Sequence, residues 1–414
     1  MKINWVLCTS IFISALMLTL AYTPESKAFN APDILPESVR LVAIRQGLVT
    51  EIDQKFSPNG RLQSLSQLSR ISFDFERLSG IQPEILRLEG ILNSFGNFGI
   101  GSQIHLGEIE IGLDPTIGYT VPTFGYGITK NWTLGIGLPV VNYQNSVNLR
   151  QTPGNVDQLQ RLYRGFDTEL DSALDELEVD IRQEFLSYLE ERRFKPIRNV
   201  DETFLGDIQI AGLYGFSVEP FILGLATTTL TLPTGPKDDP DDILDLGLFG
   251  ETSIEQEVLL SFDAGFGISV RGGAAYRYMI EDSLEVRVPK DLNDELPGFD
   301  QKETLSRKLG DTTRFLSSIH KKFLEFFEVG FGYEYVSKSK DSFSVSGISN
   351  NALELNTSYV KHVAKAGINF NSTDYYLRTK KLIPMFVEYR VSDVFKGVNT
   401  NRQLVHELMM QIYF

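Results

Sequence analysis

The chain has 414 residues, a formal net charge of −15, 42% apolar side chains and a mean hydropathy of −0.09. That acidic excess disfavours nucleic acid and anionic polymers as partners. Its one cysteine, Cys8, leaves no disulfide framework and no zinc-thiolate set, and beyond the first segment no apolar run approaches the roughly 20 residues of a membrane-spanning helix.

Met1 and Lys2 open a short positive region, followed by an apolar run through Ile11, Phe12, Leu16 and Leu20. Ser26-Lys27-Ala28 then fits the small-x-small rule of a signal-peptidase site. Residues 1–28 are therefore expected to be a signal peptide, with an amino-terminal anchor as the alternative. Its removal takes away Cys8 and moves the net charge to −16. An exported chain with no spanning helix still crosses a membrane if it closes into a β-barrel, which satisfies every backbone group inside lipid.

Residues 29–100 read as a separate amino-terminal segment. Within it, 39–47 and 49–56 are candidate strands, Ser57-Pro58-Asn59-Gly60 is a turn signal, and 83–93 suits a short helix. The glycine-rich Gly96-Asn97-Phe98-Gly99-Ile100-Gly101 follows. The length suits a plug folded into a barrel lumen or a small periplasmic module; two further wall strands are a third reading.

From residue 101 the chain alternates with the period of a strand. Trp132, Leu134, Ile136 and Leu138 face one way, with Thr133, Gly135 and Gly137 between them. Leu260, Phe262, Val270, Tyr276 and Tyr278 alternate with Glu257, Ser261, Ser269, Arg271 and Arg277. Phe327, Phe331 and Tyr333 alternate with Glu328, Gly330 and Glu334, and Val387, Tyr389 and Val391 with Glu388 and Arg390. A soluble β-sandwich also alternates, but charges beside glycine on one face and aromatics near the ends of the other suit a wet lumen and a lipid wall.

Strands are expected near 104–113, 118–128, 132–146, 207–217, 220–233, 250–262, 267–280, 311–322, 324–337, 352–370, 378–391 and 402–414. Tight turns at 129–131, 217–219, 263–265 and Phe323 then fall on the periplasmic side. The long segments 147–206, 234–249, 281–310, 338–351 and 392–401 all fall outside. The expected fold is an all-β, transmembrane antiparallel barrel of about 12–14 strands over residues 101–414.

Residues 155–194 switch period. Leu159, Leu162, Tyr163, Phe166, Leu170, Leu174, Leu177, Ile181, Phe185, Tyr188 and Leu189 recur every three or four positions against a charged face, which predicts an amphipathic helix or helical hairpin in an extracellular loop. It either packs on its own barrel or forms a lid or partner-binding element over the mouth.

Little else carries chemistry. His105, His320, His362 and His406 lack metal-ligand spacing and read as strand-surface residues. Ser337 and Lys340 have a hydrolase spacing but lie where a strand runs out. The acidic run Asp238, Asp239, Asp241, Asp242 and Asp245 lacks the glycine and spacing of a calcium loop. The reading is therefore a non-enzyme with no cofactor and no metal site. Glu108, Glu110, Arg271, Arg277, Glu328, Glu334, Glu388 and Arg390 are the candidate lumen-facing charges; bracing salt bridges in the wall are the plainer role for them. The chain ends on an alternating strand, with Met410, Ile412 and Phe414 forming the expected assembly signal.

Several short stretches resemble the outer-membrane family assigned to the MetA pathway of phenol degradation. They are Tyr126-Gly127-Ile128-Thr129, Trp132 through Pro139, Gly206-Asp207, Leu232-Pro233-Thr234-Gly235 and Gly272-Gly273-Ala274-Ala275-Tyr276. The helical insertion departs from that family's pattern. The resemblance implies a transporter-like barrel, distantly like the long-chain fatty-acid transporters, passing small hydrophobic or aromatic molecules passively. Outer-membrane lipid and lipopolysaccharide, the barrel-assembly machinery and small hydrophobic solutes are the implied partners. A non-conducting surface barrel that displays partner-binding loops is the alternative.

Overall fold

A computed structural model describes residues 34–65, 70–73, 90–91, 105–176, 180–219, 221–245, 247, 249–290, 294, 296–345, 348–349 and 351–414. The expected signal peptide and the glycine-rich stretch at 96–101 lie outside these residues, as does most of the 83–93 helix. In chain order the strands begin with β1 (Arg40–Thr50), β2 (Gln54–Phe56), β3 (Leu62–Ser64) and β4 (Arg70–Phe73). They continue with β5 (Gly107–Gly127), β6 (Trp132–Gly137) and β7 (Val140–Pro153). Three helices follow, α1 (Val156–Tyr163), α2 (Thr168–Asp175) and α3 (Ile181–Glu191). Then come β8 (Val200–Leu205), β9 (Ile208–Glu219), β10 (Ile222–Leu232), β11 (Ser253–Gly265), β12 (Ile268–Met279), β13 (Asp282–Arg287) and β14 (Lys302–Lys308). The last group is β15 (Thr312–Phe323), β16 (Phe327–Lys338), β17 (Ser342–Val345), β18 (Ile348–Ser349), β19 (Tyr359–Asn371), α4 (Thr373–Thr379), β20 (Met385–Val398), β21 (Thr400–Asn401) and β22 (Leu404–Tyr413).

Twelve strands close into one antiparallel barrel, so the all-β transmembrane-type barrel expected from the alternation is the fold. Wall neighbours run in sequence order, with β6–β7 and β8–β9 each acting as one strand interrupted at Leu138-Pro139 and Gly206-Asp207. Closure comes from β1, which pairs on one side with β22 (Ile44 opposite Met410) and on the other with β5 (Ile44 opposite Pro122). The Phe414 N–H donates to Arg40 O at 3.0 Å, and Phe414 O accepts from the Arg40 N–H at 2.8 Å, so the carboxy-terminal residue is tied to the first wall strand.

The count of twelve stands, but its members differ. Residues 104–113 and 118–128 are one strand: the ladder to β7 runs unbroken from Gly107↔Pro153 to Thr120↔Val140 across Asp114-Pro115. The missing strand is β1: of the readings open for the amino-terminal segment, 40–50 follows the one that makes it wall, and 39–47 does not pair with 49–56. Turn residues 57–60 do form the β2–β3 hairpin, which sits at the far end from Phe414 with Phe56 against Val363 and Val394. The strand expected at 378–391 is shifted to β20 because α4 takes up the intervening residues, and most of the loop expected at 392–401 is wall. The turn expected at 263–265 falls at Phe266-Gly267, with φ +54° and +72°. The one expected at Phe323 falls on 324–326.

Alternate side chains point outward into an exposed belt: Phe124, Trp132, Leu260, Phe315, Phe331 and Tyr389 among them. Aromatics cluster in it, with the Trp132 and Tyr214 rings 5.0 Å apart. The same alternation buries the opposite face, where Gly47 lets a ring lie across the strand: a Cβ there would come within 2.0 Å of Tyr119, whose hydroxyl donates to Glu407 at 2.7 Å. Gly47→Ala is accordingly expected to lower the temperature at which the refolded barrel loses its compact gel migration. Gly212→Ala, facing open space, should leave it unchanged; equal behaviour of the two would remove this packing argument.

Candidate functional site

Closure gathers the inward faces of all twelve wall strands around one lumen. On the β11–β22 side these faces are charged, and the charges are paired. Arg277 meets Glu255 at 2.9 Å, while Arg314 bridges Glu255 at 3.0 Å and Glu257 at 2.6 Å. Lys365 meets Glu334 at 2.7 Å. Nearer the end carrying Phe414, Glu328 takes Arg271 at 3.2 Å, His320 at 2.9 Å and the Asn369 amide at 3.3 Å. Arg390 pairs with Glu407, lies 4.0 Å from Glu388, and joins Arg45, 3.8 Å from Glu407. Buried charges without partners cost several kcal/mol each, which is why these residues are braced in chains and not scattered.

An apolar patch adjoins these pairs, on β9 and β10 and further along β11 and β15 themselves. Leu213, Leu225, Leu259 and Leu316 form a buried cluster on the inner wall, and Ile34 packs on it from the amino-terminal approach. Gly215 leaves room for Ile34, and the next residue, Leu35, is buried with its N–H donated to Thr133 Oγ1 at 2.9 Å.

Six of the eight charges singled out in the sequence are paired in these networks: Arg271, Arg277, Glu328, Glu334, Glu388 and Arg390. Glu108 and Glu110 are not among them. They share the phase of exposed Phe124 and Tyr126, while Ile109, Ile111 and Leu113 point inward. The inner face of β5 is apolar there and shares one buried cluster with the helical insertion. Sequence reading missed Glu255, Glu257, Arg314, Lys365 and Glu407, although all five occupy polar positions of alternating strands. His320, expected on a strand surface, is buried among Glu328, Arg271 and Ser318. Met410, Ile412 and Phe414 sit on the closing strand β22, opposite Ile44, Val42 and Arg40.

The insertion is three short helices, not one helix or a hairpin. Asp167 and Asp180 cap α2 and α3 by accepting two backbone N–H bonds each. Val156, Leu159, Leu170, Leu174, Ile181 and Phe185 are buried against the inner faces of β5 and β7. Leu162 and Phe166 escape, at 70% and 65% exposed.

The acidic run is a clamp. Asp239 holds Lys195 at 2.7 Å, and Asp241 holds Arg287 and Lys302 at 2.7 Å each. Among the described residues no cluster of three or more His, Cys, Asp or Glu side chains could hold a metal ion. Asp207 anchors the following loop by accepting the N–H groups of Gly235, Gly250 and Glu251, and Thr234 Oγ1 donates to Gly206 O at 3.0 Å. Burial pushes the Asp207 carboxyl up against these bonds. Burial also pushes Glu251 up to about 7, opposed by Arg307 and Lys338, and Asp238 up to about 6, reinforced by Asp245.

No family model and no curated protein matches the chain. Its fold is that of an outer-membrane β-barrel. An outer membrane channel from Pseudomonas putida F1 is similar to it, with a TM-score of 0.51 and 10% identity over 93% of this chain and 98% of that one. The monoaromatic hydrocarbon channel CymD matches at a TM-score of 0.36 and 10% identity, over 100% and 99% of the two chains. The Ralstonia pickettii toluene transporter TbuX matches at 0.37 and 8%, over 94% and 93%.

The ion pairs and the clamp each give a test. Arg314→Met removes the cation shared by Glu255 and Glu257 and is expected to cost about 3–5 kcal/mol of stability. Adding Glu257→Gln, which leaves the Arg277–Glu255 pair intact, should recover part of that loss in urea unfolding. The carboxyl of Glu251 titrates higher in the folded loop than in an unfolded chain. Its contribution is therefore fully present below the unfolded value and fades as pH rises through about 7. Protease cleavage of the outer loops should slow on acidification across that window, with Glu251→Gln flattening the response.

Proposed function

We propose that the protein is a passive outer-membrane channel for small hydrophobic or aromatic molecules. The observation that carries this reading is the leucine patch Leu213, Leu225, Leu259 and Leu316, an apolar strip on the inner wall beside the ion pairs of β11 and β15. A hydrophobic solute gains about 25 cal/mol per Å² of apolar surface removed from water on such a strip. The charged groups beside it, Glu257 and Arg314, are tied to one another and are poor partners for it. Ile34 occupies the strip in this structure, so a solute takes its place there and leaves by diffusion. No energy-coupling motif is evident in the sequence, and none is required by this path.

A second reading, a surface barrel that anchors partner-binding loops, draws on exposed Leu162 and Phe166 at the outer helices. Flux of a small aromatic solute into liposomes carrying the refolded chain separates the two. The channel reading expects uptake above empty liposomes, several-fold lower uptake for Leu259→Asp, and higher uptake for Ile34→Gly with Leu35→Gly. Absence of uptake in all forms, with the barrel folded by gel migration, would leave the anchor reading.

A further inference from the structure

We propose that the corner formed by residues 321–325 and 372–384, at the end of the barrel carrying Phe414, is a docking surface for anionic phospholipid headgroups. The chain as a whole is strongly acidic, yet these two segments hold five cations (Lys321, Lys322, Arg378, Lys380 and Lys381) against two carboxylates, Glu325 and Asp374. Both carboxylates are already engaged, Glu325 by Arg378 and Asp374 by Lys322 at 3.6 Å. The surface is therefore basic where the rest of the protein would repel an anionic layer.

Its apolar residues are turned outward as well. Leu377 is 61% exposed, Ile383 63% and Leu324 81%, and every residue from 377 to 383 is exposed. A soluble surface gains nothing from such a run, whereas an interfacial helix places leucines at the acyl boundary with lysines at headgroup level. The corner is held rigidly enough to present them: Tyr375 stands edge-on to Phe326 at 5.2 Å, and Ser372 Oγ donates to Ile383 O at 2.7 Å. The patch is also continuous with the lipid-facing wall, since Phe327 of β16 is exposed beside it and contacts Phe370. Charge complementarity and this continuity select a phospholipid layer over a protein partner.

The test is lipid retention by the refolded full chain in mixed micelles of phosphatidylglycerol and phosphatidylcholine, read by native mass spectrometry. The wild-type chain should retain phosphatidylglycerol preferentially, and the preference should fade with added salt. Arg378→Gln with Lys380→Gln and Lys381→Gln should reduce it about tenfold or more, each interfacial cation being worth roughly a fivefold change. Lys380→Arg with Lys381→Arg, which keeps the charge, should retain it. If the triple variant fails to fold, Lys381→Gln alone carries the comparison. Equal retention of the two lipids by the wild-type chain, or an undiminished preference in the glutamine variants, would overturn the proposal.

Discussion

The ladder that joins β22, β1 and β5 is the constraint on which everything else in this molecule depends. Inside a bilayer an unpaired N–H or C=O costs several kcal/mol, so a sheet can cross only if it has no edge. Here the first described wall strand supplies both missing partners, and the mutual hydrogen bonds of Arg40 and Phe414 finish the seam. Without β1 the outer edges of β5 and β22 would each present a row of open groups to lipid. The terminal aromatic residue thus has a structural task before any question of recognition arises.

Closure also creates an inside, and the inside dictates the chemistry of its lining. Two charges about 4 Å apart interact by roughly 4 kcal/mol at an effective dielectric of 20, enough to offset desolvation only when partners are close and shared. The lumen meets that condition by chaining carboxylates and cations, as in Arg277–Glu255–Arg314–Glu257. One step further along the strands of Glu257 and Arg314 the wall turns to leucine, at Leu259 and Leu316, and is covered by Ile34. The resulting juxtaposition of ion pairs and an oily patch is a property of the closed barrel and of no single strand.

Beyond the membrane band the same strands serve a different core. β5 carries exposed Phe124 at one end and inward Ile109 and Ile111 at the other, so its polarity changes along its length although its alternation does not. The helical insertion and the Asp207-anchored loop pack there. The short motifs Gly206-Asp207 and Thr234-Gly235, separate in the sequence, meet there as one hydrogen-bonded unit. A Cβ on Gly206 would stand 3.1 Å from the Phe249 ring, so the junction is closely packed.

The sequence by itself determined the class of fold, a wall of about 12–14 strands, the presence of a helical insertion and which residues of a strand share a face. Those follow from periodicity, a local property that each strand carries unaided. It did not reveal that 40–50 rather than a second strand within 104–128 completes the wall, because Asp114-Pro115 looks like a turn until a neighbour is seen to pair straight across it. Nor did it place Glu108 and Glu110 outside, since alternation tells which residues share a face but not what fills the space that face looks onto. The partners of Arg314 and Glu328, the seat of Ile34 and the clamp on the acidic run lie many residues apart in the chain. Only tertiary closure, which fixes register around the whole circumference, brings them together.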